Sequence, residues 1–269
     1  MRETAATSLP MHPRPLRWRG MRVIGALLLR EMSSTYGRTP GGYIWAILQP
    51  VAIIVILTIA FTFLLRSPSL GTSFILFYAT GFLPLRMFQE VANSVGAAVQ
   101  FNLPMMAYPR VTFVDVLAAR AILAVLTQIM VSAVIFAGVF ILDDVRAILD
   151  FEYILLAYGM NIFLAIGVGT LNSFLTFSFH LWRNVWGILT KPLLFLSGVF
   201  YIYEDLPRAA QDILWYNPVI HITGTIRMGF YASYSPEYIS VPYVMVFGAI
   251  PLVFGLLLLF SFCKDAIYK

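Results

Sequence analysis

Charge is scarce in this chain. Only 12% of its 269 residues are Asp, Glu, Lys or Arg, while 60% are hydrophobic. That balance excludes an ordinary soluble domain, which carries about 25% charged residues. Cysteine is scarcer still. Cys263 stands alone, so no disulfide can form within the chain and no cysteine cluster can hold a metal. Its surroundings suit a small apolar side chain at a helix end. There is no G-x-x-x-x-G-K-[ST] phosphate loop, so the chain is not expected to hydrolyse ATP. H-E-x-x-H, G-x-S-x-G and a clustered His/Asp set are missing too, which leaves an intramembrane hydrolase or transferase little to work with. The apolar stretches also lack the regular ionisable residues of a proton-coupled pump.

Uninterrupted apolar sequence is what the chain has in plenty, with a mean hydropathy of +0.83. Between Arg38 and Arg66 lie 27 residues without a charge, between Arg120 and Asp143 lie 22, between Glu152 and Arg183 lie 30, and between Glu237 and Lys264 lie 26. A bilayer core about 30 Å thick takes roughly 20 residues of helix to cross. Four such runs mark an all-α, polytopic membrane protein. The pattern predicts six transmembrane helices, near residues 43–65, 74–98, 114–142, 153–179, 185–203 and 241–262. The second carries Pro84, Arg86 and Glu90, and the fifth contains Lys191 followed by Pro192.

Basic residues set the orientation. Seven arginines (Arg2, Arg14, Arg17, Arg19, Arg22, Arg30 and Arg38) precede the first apolar run. That run is too long for the core of a cleavable signal peptide. Six crossings put these arginines with Arg110, Arg120, Arg183, Lys191, Lys264 and Lys269 on one side, thirteen in all. Arg66, Arg146, Arg208 and Arg227, four in all, fall on the other. The positive-inside rule then predicts both termini in the cytoplasm. The net charge of +5 follows this membrane pattern, and no nucleic-acid partner is expected. The expected organisation is a cytoplasmic leader over residues 1–40 and a six-span unit over 41–269.

Four segments interrupt the spans in ways that can carry function. The first is a leader helix over roughly residues 16–36. At about 100° per residue, Arg19, Arg22 and Arg30 share one face, and Met21, Ile24, Leu28 and Met32 share the opposite one. This is an amphipathic helix lying in the membrane interface, either as a lipid anchor alone or touching a cytoplasmic partner as well. The second is the connection after the second span, Q-F-N-L-P-M-M-A-Y-P-R-V-T. There the apolar Leu103, Met105, Met106 and Tyr108 sit between or beside Pro104 and Pro109. Apolar side chains on a short rigid loop suit a docking surface, and a loop dipping into the membrane is the alternative. A partner pushing there moves both flanking spans.

The third is Arg86 with Glu90, four apart on one helix face. They form either a structural ion pair or the lining of a polar pathway. The fourth is residues 204–240, too long for a tight turn and too polar to span. The break at Trp215, Tyr216, Asn217 and Pro218 divides two short amphipathic stretches, read as re-entrant outer helices between the last two spans. Their Trp and Tyr suit an interfacial belt, and their rings also suit stacking on sugars. His221 reads as a hydrogen-bonded helix residue, and no metal site is expected.

Together these residues resemble the permease subunits of type-two ABC exporters, most closely the inner-membrane permeases of capsular polysaccharide export. The string L-L-L-R-E-M-S-S-T-Y-G-R-T-P-G-G-Y-I-W-A-I-L-Q-P over residues 27–50 is similar to that family's approach to its first span. So are Tyr108-Pro109-Arg110 before the third span and L-W-Y-N-P-V-I-H over residues 214–221. The resemblance covers about residues 20–262. It implies a homodimeric channel above two copies of a separate cytoplasmic ATPase, which binds the ATP and Mg. This chain would carry no cofactor and no catalytic residue.

The resemblance also implies roles for particular residues. Arg30, Glu31, Tyr36 and Gly37 would form the interface helix and its hinge. Asn102, Leu103, Pro104, Met105, Met106, Tyr108, Pro109 and Arg110 would form the coupling helix seated in the ATPase. Arg208, Trp215, Tyr216, Asn217 and His221 would lie near the channel exit. The implied cargo is a lipid-linked acidic polysaccharide, moved from cytoplasm to periplasm across the bacterial inner membrane and passed to periplasmic and outer-membrane export proteins. The same architecture also exports O-antigen, teichoic acid and small hydrophobic drugs. A membrane glycosyltransferase or acyltransferase, or a passive channel, are readings from other classes.

Overall fold

The computed structural model describes residues 19–35, 42–64, 67–108, 111–143 and 149–267. Among the described residues every regular element is a helix. They run α1 (Arg19–Thr35), α2 (Gly42–Leu64), α3 (Phe74–Gly96), α4 (Ala98–Met106), α5 (Phe113–Leu142), α6 (Phe151–Ser178), α7 (Trp182–Thr190), α8 (Leu193–Leu196), α9 (Arg208–Leu214), α10 (Pro218–Phe230) and α11 (Val241–Ile267). A 3₁₀ turn, Tyr203–Asp205, precedes α9.

Side chains just outside the apolar runs start these helices. Thr112 and Asp115 form a reciprocal capping box at the head of α5, satisfying two backbone donors that the helix leaves open. Ser73 accepts from the Leu76 amide to begin α3, and Asp150 accepts from Glu152 to begin α6. Asn217 caps α10, with Pro218 pre-set at the first helical position.

Four helices, α2, α5, α6 and α11, are long and apolar enough to cross a membrane. α3 matches α2 at 23 residues but carries Arg86, Gln89, Glu90 and Asn93. It is the enclosed centre of the fold, packed on α2, α5, α6 and α10. α6 packs on both α3 and α11. Gly167 lets it approach so closely that an added Cβ would collide with the Gly248 carbonyl of α11. Small residues at a helix crossing do this in membranes, where packing replaces the hydrophobic drive between helices.

The expected fifth span, 185–203, is not one helix. It breaks into α7 and α8 and then runs irregularly from Ser197 to Ile202. Pro192 supplies no backbone donor and clashes with the turn before it, and Gly198 turns the chain with φ +71°. The carbonyls freed by the break need donors, and α10 and its cap provide them. Asn217 Nδ2 donates to the Leu196 carbonyl at 2.9 Å, and Arg227 donates to the carbonyls of Tyr201 at 2.8 Å and Val199 at 3.4 Å. Arg227, counted above among outer basic residues, is therefore buried, its guanidinium 4.2 Å from the Phe77 ring centre.

The leader helix packs through residues beside its expected apolar stripe and leaves both methionines of that stripe outward. Met21 is 70% exposed and Met32 is exposed too, while Leu27 and Glu31 turn inward against α5. The cause is a partner the periodicity could not show, Arg120 on α5, which forms an ion pair with Glu31.

Candidate functional site

α3 runs about 35 Å from one end of the fold to the other, and a different polar cluster gathers at each end. At its C-terminal end α3 turns through Ala97 directly into α4. Arg30 of α1 donates to Asn102 Oδ1 of α4 at 2.9 Å, and Asn102 Nδ2 donates to the Ala98 carbonyl, which fixes the amide's orientation. One residue on, Glu31 holds Arg120, whose guanidinium also donates to the Ser94 carbonyl and stacks 4.3 Å from the Phe101 ring centre. The arrangement thus brings together residues expected in two separate segments. A pair of links, Arg30–Asn102 and Glu31–Arg120, ties the leader helix to α4 and α5.

The other residues of the α4 segment divide between inside and outside. Met106 is buried in the core, Leu103 and Met105 are half-buried, and Pro104, Tyr108 and Phe101 are exposed. The exposed apolar face of this segment is therefore narrower than the sequence suggested, because Met106 packs inward. Pro109, Arg110, Tyr36 and Gly37 lie outside the described residues.

Arg86 and Glu90 pair at 2.8 Å, and Arg86 also donates to Gln49 of α2 at 2.8 Å. Glu90 lines a cavity of about 370 Å³ together with Glu31, Asn93, Arg120, Gln128 and Arg183. A neighbouring cavity of about 270 Å³ is lined by Asn93, Asn172, Arg183, Trp186 and Thr190 among others. α7 closes this region, with Trp186 Nε1 donating to Asn93 Oδ1 at 2.8 Å and Trp182 Nε1 donating to Asn172 Oδ1 at 3.0 Å.

The N-terminal half of α3 packs on α10 through Arg227 beside Phe77 and Gly81, and the head of α10 carries a cluster built from aromatic rings and amides. His221 of α10 is fully buried. The Ser240 amide donates to its Nδ1 at 3.3 Å, so Nε2 carries the proton that goes to the Trp215 carbonyl at 2.8 Å. Trp215 Nε1 donates to the Tyr238 carbonyl, and its ring lies 4.8 Å from that of Tyr243. Tyr243 in turn donates to the Tyr216 carbonyl at 2.6 Å. Burial, then the neighbouring Tyr238 and Glu204, push the Tyr234 phenol upward, so it stays a donor and bonds Glu204 at 3.0 Å.

Tyr216 alone of the Trp215–Tyr216 pair shows its ring outward, at 69% exposure, and Arg208 is exposed at the head of α9. Trp215, Asn217 and His221 hold the segment together. Arg120 and Arg227 were not singled out from the sequence as site residues. The available signal was a lone cation inside a long apolar helix, or beside one, which always needs a named partner.

Comparison with known proteins finds similarity along most of the chain. A family model described as ABC-2 type transporter matches residues 22–231. The capsule polysaccharide export inner-membrane protein CtrC of Neisseria meningitidis serogroup B is 28% identical over 243 residues, covering 90% of this chain and 92% of its own. The polysialic acid transport protein KpsM of Escherichia coli is 28% identical over 235 residues, covering 87% and 91%. The capsule polysaccharide export inner-membrane protein BexB of Haemophilus influenzae is 27% identical over 243 residues, covering 90% and 92%.

Proposed function

Because the chain belongs to the ABC-2 type transporter family, we propose that it is the inner-membrane permease of a capsular polysaccharide exporter. It works as a homodimer above two copies of a cytoplasmic ABC ATPase, which bind ATP and Mg. The cargo is a lipid-linked polysaccharide carried from cytoplasm to periplasm and handed to periplasmic and outer-membrane export proteins. One observation carries this reading: the similarity to a capsule exporter runs through 90% of this chain and 92% of that relative. The chain's want of a phosphate loop fits a motor on a separate subunit.

The six crossings are α2, α3, α5, α6, the broken α7–α8 segment and α11, with α9 and α10 re-entrant in the outer leaflet. Two facts support this. Irregular backbone at membrane depth survives only where protein satisfies it, as Asn217 and Arg227 satisfy residues 196–201 here. With Arg227 and Arg120 both buried, three basic residues are left on the outer side against twelve inside.

In this setting α4 is the coupling helix. A push on it reaches α1 through Arg30–Asn102 and α3 through the shared corner at Ala97. It reaches α5 through Phe101 on Arg120. Two-state movement of that node, driven by the ATPase pair, opens the path between the two permease copies. A symmetric dimer is the closed arrangement that such a half-pore requires.

A deletion strain supplies the test. Polymer should accumulate inside the cell and vanish from its surface, and the full-length chain should co-purify with an ABC ATPase. Charge reversal at Arg110 should reduce that co-purification at least threefold without lowering the amount of permease in the membrane. A deletion strain that makes no polymer at all would point to an enzyme and overturn the reading.

A further inference from the structure

The two cavities beside α7 share three lining residues, Asn93, Ala97 and Arg183, and so form one continuous polar recess between α3, α5, α6 and α7. Its hydrogen-bonding inventory is lopsided. Asn172 is buried, and its Oδ1 is taken by Trp182, which leaves Nδ2 pointing elsewhere as a buried donor with no partner. Arg120 is buried too. One of its terminal nitrogens is held by Glu31 and the other by the Ser94 carbonyl, but its Nε–H has no partner. Arg183, on the rim of both cavities, makes no hydrogen bond or ion pair among the described residues.

The carboxylates that line the recess are each paired with an arginine. Glu31 pairs with Arg120, Glu90 with Arg86, and Asn93 Oδ1 receives Trp186. The fully buried side-chain atoms of the recess that lack a partner, Arg120 Nε and Asn172 Nδ2, are both donors, and Arg183 adds a guanidinium charge. Leaving a buried donor unpaired costs about 1–3 kcal/mol, so an acceptor belongs there. Water can satisfy a lone amide, but it does not neutralise a guanidinium beside a second one. Beside the recess, α7 turns Val185, Ile188 and Leu189 outward, a surface suited to acyl chains.

We propose that this recess is a binding site for the phosphodiester head group of an anionic membrane lipid, gripped by Arg183 with Asn172 Nδ2 and Arg120 Nε. Guanidinium and phosphate match in charge and in fork geometry. With both carboxylates paired to arginines, the recess holds no uncompensated negative charge for the ammonium of a zwitterionic head group. The proposal takes from the export reading only the membrane placement of α7. Binding is measured without transport, so the two fail separately.

The test is native mass spectrometry on the delipidated full-length chain in non-ionic detergent. Dioctanoyl phosphatidylglycerol, dioctanoyl phosphatidylcholine and inorganic phosphate are added in turn. Phosphatidylglycerol should bind at least tenfold tighter than phosphatidylcholine. R183Q, at an exposed position with no fold to lose, should remove that preference. N172D keeps the acceptor for Trp182 while turning the free donor into an acceptor, and should weaken binding about tenfold. R22Q, an equal charge change on α1, should leave it unaltered. Equal binding of the two lipids, or full affinity in both R183Q and N172D, would overturn the site. Phosphate that competes as well as the lipid at equal concentration would overturn the lipid as its occupant, and assign the anion to the aqueous phase.

Discussion

The two ends of α3 solve the same problem with different chemistry. At the α4 end, an ion pair and a charge-assisted bond join helices from separate parts of the chain: Glu31 with Arg120 and Arg30 with Asn102. At the α10 end, nearly every bond runs from a side chain to a backbone carbonyl, as with His221 to Trp215, Trp215 to Tyr238 and Arg227 to Tyr201. Carbonyl partners belong to the chain path itself, so they lock one backbone shape. Side-chain pairs can be exchanged when helices shift.

The difference can be tested by removing partners. The largest effect is expected from Glu31→Met, which strands a buried guanidinium at a cost of about 3–5 kcal/mol. The double change Glu31→Met with Arg120→Met should recover most of that loss, since an apolar pair can replace an ion pair almost neutrally. Thermal unfolding in detergent measures both. If the double variant is no better than the single one, the pair is not what joins α1 to α5.

Arg227→Met at the other end should cost about 2–3 kcal/mol, because the carbonyls of Val199 and Tyr201 lose a charged donor. Here no second-site change at a side chain should rescue it, since the partners are backbone. A compensating side-chain substitution that restores the unfolding temperature would erase the distinction between the two ends. The smallest effect on stability belongs to Tyr216→Ala, within about 0.5 kcal/mol for so exposed a ring. Combined with Trp215→Ala, it should reduce surface polymer severalfold in an export assay while leaving the dimer intact. Unchanged export would make these rings an interfacial belt only.

Much of this was visible in the residue order. The uncharged runs located α2, α5, α6 and α11 to within a few residues, because helix length and apolarity are local properties that the bilayer demands directly. Asn217-Pro218 announced the start of α10, and His221 proved to be the hydrogen-bonded helix residue expected of it. The protein-facing side of α1 was not legible. Periodicity assigned Met21 and Met32 to an apolar face for the membrane interface, and both are exposed, but it could not show Glu31 turning onto α5, because Arg120 lies 89 positions away. The break in the predicted fifth span was only partly legible, for a related reason. Pro192 and Gly198 warned of it, yet an irregular buried backbone depends on donors from elsewhere, and Arg227 comes 28 residues after Val199.

The sequence by itself determined the class: a helical protein of the membrane with no phosphate loop of its own, because both follow from stretches read one after another. Only the tertiary structure decided which polar groups meet. Pairing across helices depends on rotation and depth, and those are settled when buried charges and freed carbonyls find the few partners that can satisfy them away from water.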